Sequence, residues 1–229
     1  MSRALTIISS MATRLLLAEQ AGLYRLRRSA AVDLEAVGGV DAARRVEAGE
    51  AFDVVVLADA VMSRLAEAGH LLPGTVVPLA RAEVAAAVRE GAERPDITSE
   101  SALRSTVLAA KSVGYSTGPS GQHLLKVFER WGIMPQIAGR IVQAPPGVPV
   151  GKLIAEGQVD IGFQQLSELI SLKGIHVLGL VPPPAQITTV FSGAVGAHSE
   201  RPDAAAELLA FLAHPEHAEL HRRHGMDPA

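Results

Sequence analysis

The chain has 229 residues, 48% of them hydrophobic and 20% charged, with a formal net charge of −3. That length and balance suit a globular protein with a substantial core, in one domain or two lobes, and exclude a disordered chain. The charge supplies no basic field for nucleic acid, aromatics at 3% leave little surface for stacking bases, and no apolar run reaches the length of a membrane span.

The predicted elements alternate strand and helix from the start. "LTII" (5–8) reads as a strand, and a helix over 11–28 follows, with Met11, Leu15, Ala18 and Leu23 near one face. "AVDLEAV" (31–37) is the next strand, then Gly38-Gly39 and a helix from about Val40 to Ala48. "FDVVVLA" (52–58) is continuously apolar, as expected of a strand covered on both faces, and a helix over 60–68 ends at Gly69. After an extended segment, 79–91, Thr98 or Ser99 caps a helix that runs to about Ala110. Then come strand 112–116, helix 119–131, strand 136–143, a helix from near Val148, strand 159–163, helix 166–172 and strand 175–180. A proline-rich passage leads into a further strand, and helices 202–213 and 215–224 close the chain, the second with Pro215 at its first position.

This order predicts an α/β fold of two lobes, each a mostly parallel sheet flanked by helices. Lobe one is 1–80 plus 195–229, lobe two is 85–185, and the segments 79–89 and 185–195 form a two-strand hinge beside a cleft. Ligands of open α/β sheets bind beyond the carboxyl ends of strands, which fall here after residues 8, 37, 58, 116 and 163.

Those turns supply the candidate site. Ser9, Ser10 and Met11 join a strand end to a helix start, where hydroxyls and free N–H groups suit a carboxylate or another oxyanion. The competing reading is that Ser10 only caps the helix. Gly38-Gly39, Ala58-Asp59 and the stretch Ser116, Ser120, Gly121 and Gln122 recur at equivalent turns. Arg81 offers a planar cation at the hinge, and of Gln164 and Gln165 alternation turns one toward the cleft. "GYSTG" satisfies G-x-S-x-G, so Ser116 with Asp160 and His176 or His198 forms a candidate hydrolase triad, although no HGGG-type segment precedes it.

No cofactor is expected. "GVPVGKL" (147–153) has the wrong spacing for a phosphate loop and no hydroxyl after Lys152, and G-x-G-x-x-G is absent. Without cysteine there is no disulfide and no thiolate nucleophile or zinc ligand. His214, His217, His221 and His224 recur near one face of the last helix, on its surface, with no converging carboxylate, so no metal is expected. The opening "MSRALTIISS" lacks the pattern of a signal peptide, which points to the cytoplasm for the chain as it stands and to the periplasm where a leader has been removed.

Four stretches, "GGVDAARRVEAGEAFDVVVLAD" (38–59), "AKSVGYSTGPSGQHLLKVFERWGI" (110–133), "GQVDIGFQQLSELI" (157–170) and "RPDAAAELLAFLAHPEHAELHRRHGMDP" (201–228), resemble the molybdate-type solute-binding proteins of bacterial uptake transporters. The resemblance implies a periplasmic-binding-protein-like fold closing around a small anion, an ABC transporter permease as partner, and a monomer. Molybdate binders of that family use serine hydroxyls at the second turn and a tyrosine after the strand at 159–163, where this chain has Gly38-Gly39 and Phe163-Gln164-Gln165. A dehydrated oxyanion needs a full shell of donors, so these departures favour an organic anion. "YSTGPSG" and "IGFQQ" are closer to the branch of the scaffold that contains aconitate isomerase. Three readings follow: a receptor for a di- or tricarboxylate, an isomerase of such a compound with Asp59, Glu83, His123 or Glu168 as acid or base, and a serine hydrolase.

Overall fold

The computed structural model describes residues 3–229 and divides the chain into two compact units. The first runs up to Ala82 and resumes over Thr189–Ala229, and the second is Glu83–Thr188.

The first unit is laid down by three strand-to-helix repeats. Strand β1 (Leu5–Ser10) leads through a 3-10 turn to α1 (Arg14–Arg28), β2 (Val32–Val37) to α2 (Gly39–Glu47), and β3 (Val54–Ala58) to α3 (Asp59–Glu67). β1 pairs in parallel with β2 and β3, so all three carboxyl ends lie on one edge. Ser10 stands level with Val37, and Ser9 with Val56. β4 (Val77–Arg89) begins in this unit, and β9 (Thr188–Val195) returns to it antiparallel to β3. The chain thus passes between the units twice, at Ala82–Glu83 within β4 and at Thr188–Thr189 within β9.

Alternation along the strands builds two cores. Leu5, Ile7, Val54 and Val56 pack with α1 and with Leu208, Leu209 and Leu212 of α9 (Pro202–Leu212), while Ile8, Val55 and Leu57 pack with residues of α2 and α3. Each fully buried Leu or Ile here is worth about 2–5 kcal/mol against truncation to Ala.

The second unit repeats the plan. It contains α4 (Glu100–Ala109), β5 (Val113–Tyr115), α5 (Pro119–Arg130), α6 (Met134–Ile137) and β6 (Ile141–Gln143). After these come α7 (Val150–Ala155), β7 (Ile161–Gln165), α8 (Leu166–Leu169) and β8 (Ile175–Leu180). β5 pairs in parallel with β6 and β7, and the far half of β4 runs antiparallel to β7 and β8. Val84, Ala86 and Val88 face the core under α4 and α5, and Ala85 and Ala87 face α7. Ser99, not Thr98, caps α4, its hydroxyl accepting from the Ala102 amide at 3.1 Å. Thr98 instead closes a local turn on Asp96.

Three expectations are corrected. The strand expected over 136–143 is the short helix α6 followed by only three strand residues. Pro135 presets the helical φ, Ile137 is fully buried, and Arg140 Nη2 donates to the Gln136 carbonyl. The helix expected over 215–224 is a 3-10 turn, Pro215–His217, and then α10 (Ala218–Arg223). Beyond it β10 (Met226–Pro228), which no periodicity announces, pairs antiparallel with Ala80–Ala82 of β4.

The third correction concerns the histidines. His217 and His221 are each only 3% exposed, not surface residues, and their segment meets α9 at Phe211 and α1 at Glu19 and Arg27. The His217 ring meets Phe211 edge-on at 4.7 Å, His221 Nδ1 bonds the His217 carbonyl, and His224 pairs with Glu19. Among the described residues no cluster of three or more His, Asp or Glu could hold a metal ion.

Candidate functional site

In the first unit the candidate residues gather at the carboxyl edge of the sheet. β1 ends at Ser10, whose carbonyl accepts from both the Ser9 and the Thr13 hydroxyl, at 3.3 and 3.2 Å. Ser10 occupies the N-cap of the 3-10 turn at Met11–Thr13, yet its hydroxyl makes no capping bond. The capping reading of Ser10 therefore fails. Its Oγ is buried and has no hydrogen-bond partner among the described residues, a costly state for a hydroxyl unless something else binds it. Ser9 is fully buried beside it.

The neighbouring turn is equally bare. Gly38 stands at the N-cap of α2 with no side-chain cap, so the first amides of a nine-residue helix have no side-chain acceptor there. A Cβ built on Gly39 would lie 3.7 Å from Ser10 Cβ, which is ordinary contact. Gly39 thus lies against the Ser10 side chain at its Cβ, and a hydroxyl side chain would fit where none is present. The third turn has Ala58 at the N-cap of α3 and Asp59 at its first position. Asp59 is exposed, and Oδ1 accepts from the fully buried Ser192 hydroxyl at 2.7 Å, which fixes the carboxylate at this edge.

Arg81 makes a contact within the first unit. Its Nε donates to the Pro228 carbonyl at 3.1 Å, so it ties β4 to β10 within the first unit.

In the second unit the turn after β5 carries Ser116, and α5 follows with Gly118 at its N-cap and Pro119 in its first turn. The Ser116 and Ser120 hydroxyls lie 3.3 Å apart and pair with each other. The Gly121 and Gln122 amides turn back to the Gly118 carbonyl, at 3.0 and 3.3 Å, and the hydroxyl pair keeps one proton that it does not use internally. Gly121 is obligatory: a Cβ there would fall 1.9 Å from the Ser116 carbonyl oxygen. At the end of β7, Gln164 and Gln165 are both buried. Gln164 accepts from the Val150 amide at 2.7 Å and donates to Glu168 at 2.7 Å, so it anchors α7.

The hydrolase triad does not assemble. Asp160 precedes β7 and accepts from the Lys111 amide, and His176 pairs with Val88, which also pairs with Ile161. Both stand at the amino edge of the second sheet, whereas Ser116 follows the carboxyl end of β5, parallel to β7. His198 belongs to the first unit, beside Gly49. Of the four candidate acids or bases, Asp59 is held by Ser192. The Thr188 hydroxyl donates to Glu83 at 3.5 Å, and Glu168 is engaged by Gln164. His123 lies exposed in a groove with Lys126 and Arg130.

Sequence reasoning found the turns but not what distinguishes them. Ser192, in the middle of an apolar strand, carried no motif, and its only sequence signal is a hydroxyl inside "VFSGAV".

Comparison with known proteins agrees with this architecture. Aconitate isomerase from a Pseudomonas species is 34% identical over 230 residues, covering 98% of this chain and 87% of that protein. The periplasmic molybdate-binding protein of Azotobacter vinelandii superposes with a TM-score of 0.81 at 18% identity, covering 97% and 98% of the two chains. The sulfate-binding protein of Mycobacterium tuberculosis does so at 0.80 and 17%, covering 100% and 88%. The two structural likenesses bear on the fold alone, which is periplasmic-binding-protein-like. A family model described as bacterial extracellular solute-binding protein matches residues 5–227, and the chain belongs to that family.

Proposed function

We propose that the protein binds a small organic polycarboxylate, and the observation that carries this reading is the buried, unpartnered Ser10 hydroxyl beside the uncapped turn at Gly38-Gly39. One hydroxyl and a row of amides suit a planar carboxylate, which needs few donors on each oxygen. A tetrahedral oxyanion stripped of water needs more, and Gly39 leaves open the space where a serine would supply one. The Ser116–Ser120 hydroxyl pair gives the second unit an anion-holding turn of its own. The similarity to aconitate isomerase supports a tricarboxylate over a shorter acid. In transport the partner is an ABC transporter permease, and the receptor acts as a monomer.

A second reading is favoured by that same similarity and by Asp59. Isomerisation of an unsaturated tricarboxylate moves a proton, and Asp59 is a carboxylate fixed at the candidate edge by Ser192 Oγ at 2.7 Å. Proton NMR of cis- and trans-aconitate incubated with the protein separates the two readings. Unchanged spectra with saturable binding support a receptor, whereas interconversion that Asp59→Asn abolishes makes the protein an isomerase. Absence of binding by either compound, or by citrate, contradicts both.

A further inference from the structure

The second unit contains a groove of about 570 Å³ that the candidate turns do not use. It lies at the amino edge of the sheet, lined by Val159, Asp160 and Ile161 where β7 begins and by Val88 and Arg89 where β4 ends. β7 spans five residues, so this edge is roughly 15 Å from the carboxyl edge that follows Gln165. The volume is that of a small-molecule site.

The chemistry of the groove is specific. Its floor is apolar: Val88, Val159 and Ile161 are buried, and Ala109 closes one side. Its rim carries both signs. Arg89 lies against Gly157, whose missing side chain leaves room for the guanidinium, 3.4 Å from where a Cβ would stand. Among the described residues the Arg89 and Glu93 side chains have no hydrogen-bond or ion-pair partner, although they share this rim. Elsewhere the chain pairs its arginines readily, as at Arg45 with Glu35 and Glu50 and at Arg201 with Asp53. Asp160 commits one oxygen to the Lys111 amide and keeps the other.

A cation and a carboxylate that stay apart over an apolar floor complement a molecule bearing both opposite charges and an apolar body. We propose that this groove is a second binding site, for a free α-amino acid with an apolar side chain. Arg89 takes the carboxylate, Glu93 and the free oxygen of Asp160 take the ammonium, and the side chain covers Val159 and Ile161. The site is independent of the polycarboxylate reading, because it shares no residue with the candidate turns.

Amide NMR of the full chain tests it, with L-leucine as the probe and 4-methylpentanoate and 3-methylbutylamine as its single-charge halves. Leucine should shift the Arg89, Ala109 and Asp160 amides saturably and leave Ser10, Gly39, Ser116 and Gly121 unmoved. Each half-probe should bind about tenfold more weakly or worse, the loss expected for one charged hydrogen-bonding group. Arg89→Gln and Glu93→Gln, both at exposed positions, should each weaken leucine by a similar factor, and Ala109→Trp should abolish its shifts by filling the groove. No saturable shift with leucine at tens of millimolar overturns the proposal. Equal affinity for 4-methylpentanoate, or full affinity in Arg89→Gln, overturns it as well, and so do shifts confined to the serine turns.

Discussion

Ser10→Ala should move stability and binding in opposite directions. In the free protein the Ser10 hydroxyl is buried without a partner, and an unmet buried polar group costs about 1–3 kcal/mol. Alanine removes that cost and leaves only a small void, so the free protein should gain about 1 kcal/mol. For a chain of this size such a gain raises Tm by about 2–4 °C. With an anion bound, the same hydroxyl supplies a hydrogen bond to a charged oxygen, worth about 1.5–3 kcal/mol. Its loss should weaken citrate or aconitate about tenfold to a hundredfold. Thermal melts without ligand and calorimetric titration with it measure the two effects on one sample. Ser120→Ala is the internal contrast, because its hydroxyl already pairs with Ser116 and removing it relieves nothing. If Ser10→Ala lowers Tm and leaves affinity unchanged, the hydroxyl is structural and the reasoning fails.

Other substitutions test other parts of the account. Gly121→Ala should displace the Ser116–Ser120 turn of the second unit and lower stability by about 1–3 kcal/mol, because the new Cβ meets backbone at 1.9 Å; a crystal structure of the variant with that turn unmoved would refute this. Burial alone would raise the Asp53 pKa, but the Ser199 hydroxyl, the Thr6 amide and Arg201 hold it below the ordinary carboxylate value. The stability Asp53 contributes is therefore complete above its unfolded pKa of about 4 and is lost as pH falls through the lower folded value. Asp53→Asn should cost about 1.5–3 kcal/mol at neutral pH and flatten that acid limb in denaturant titrations. Burial holds the His217 pKa low, with Arg27, His221 and His214 adding to it and Glu216 opposing. Stability should accordingly fall as pH drops below about 6.5, where the unfolded chain takes up a proton that the folded one refuses, and His217→Phe should remove that slope.

The sequence made the repeated strand-to-helix order legible because short apolar runs alternate with helical periodicity, as in the β-branched "VVVLA" before α3. It also located the serine- and glycine-bearing turns, since strand ends are fixed by where those runs stop. What it could not show depends on tertiary company. Nothing in "ISSMAT" reveals that the Ser10 carbonyl takes two hydroxyls while its own hydroxyl takes none. "HPEHAELHRRH" reads as a polar surface, whereas tertiary packing buries His217, which meets Phe211 of α9, and His221. The bond from Arg81 Nε to the Pro228 carbonyl was hidden as well, because β10 is too short and too polar to announce itself. The triad of Ser116, Asp160 and a histidine failed for a geometric reason, since order along the chain does not say which edge of a sheet a residue occupies.

The central claim is that the ligand is an organic polycarboxylate and not a tetrahedral oxyanion. Calorimetric titration of the purified protein with citrate, cis-aconitate, trans-aconitate, molybdate and sulfate tests it most directly. The account predicts that at least one tricarboxylate binds at least about tenfold more tightly than molybdate or sulfate, a margin of about 1.4 kcal/mol that one missing donor hydroxyl can supply. Tight binding of molybdate or sulfate with no heat from any of the three carboxylates would contradict it.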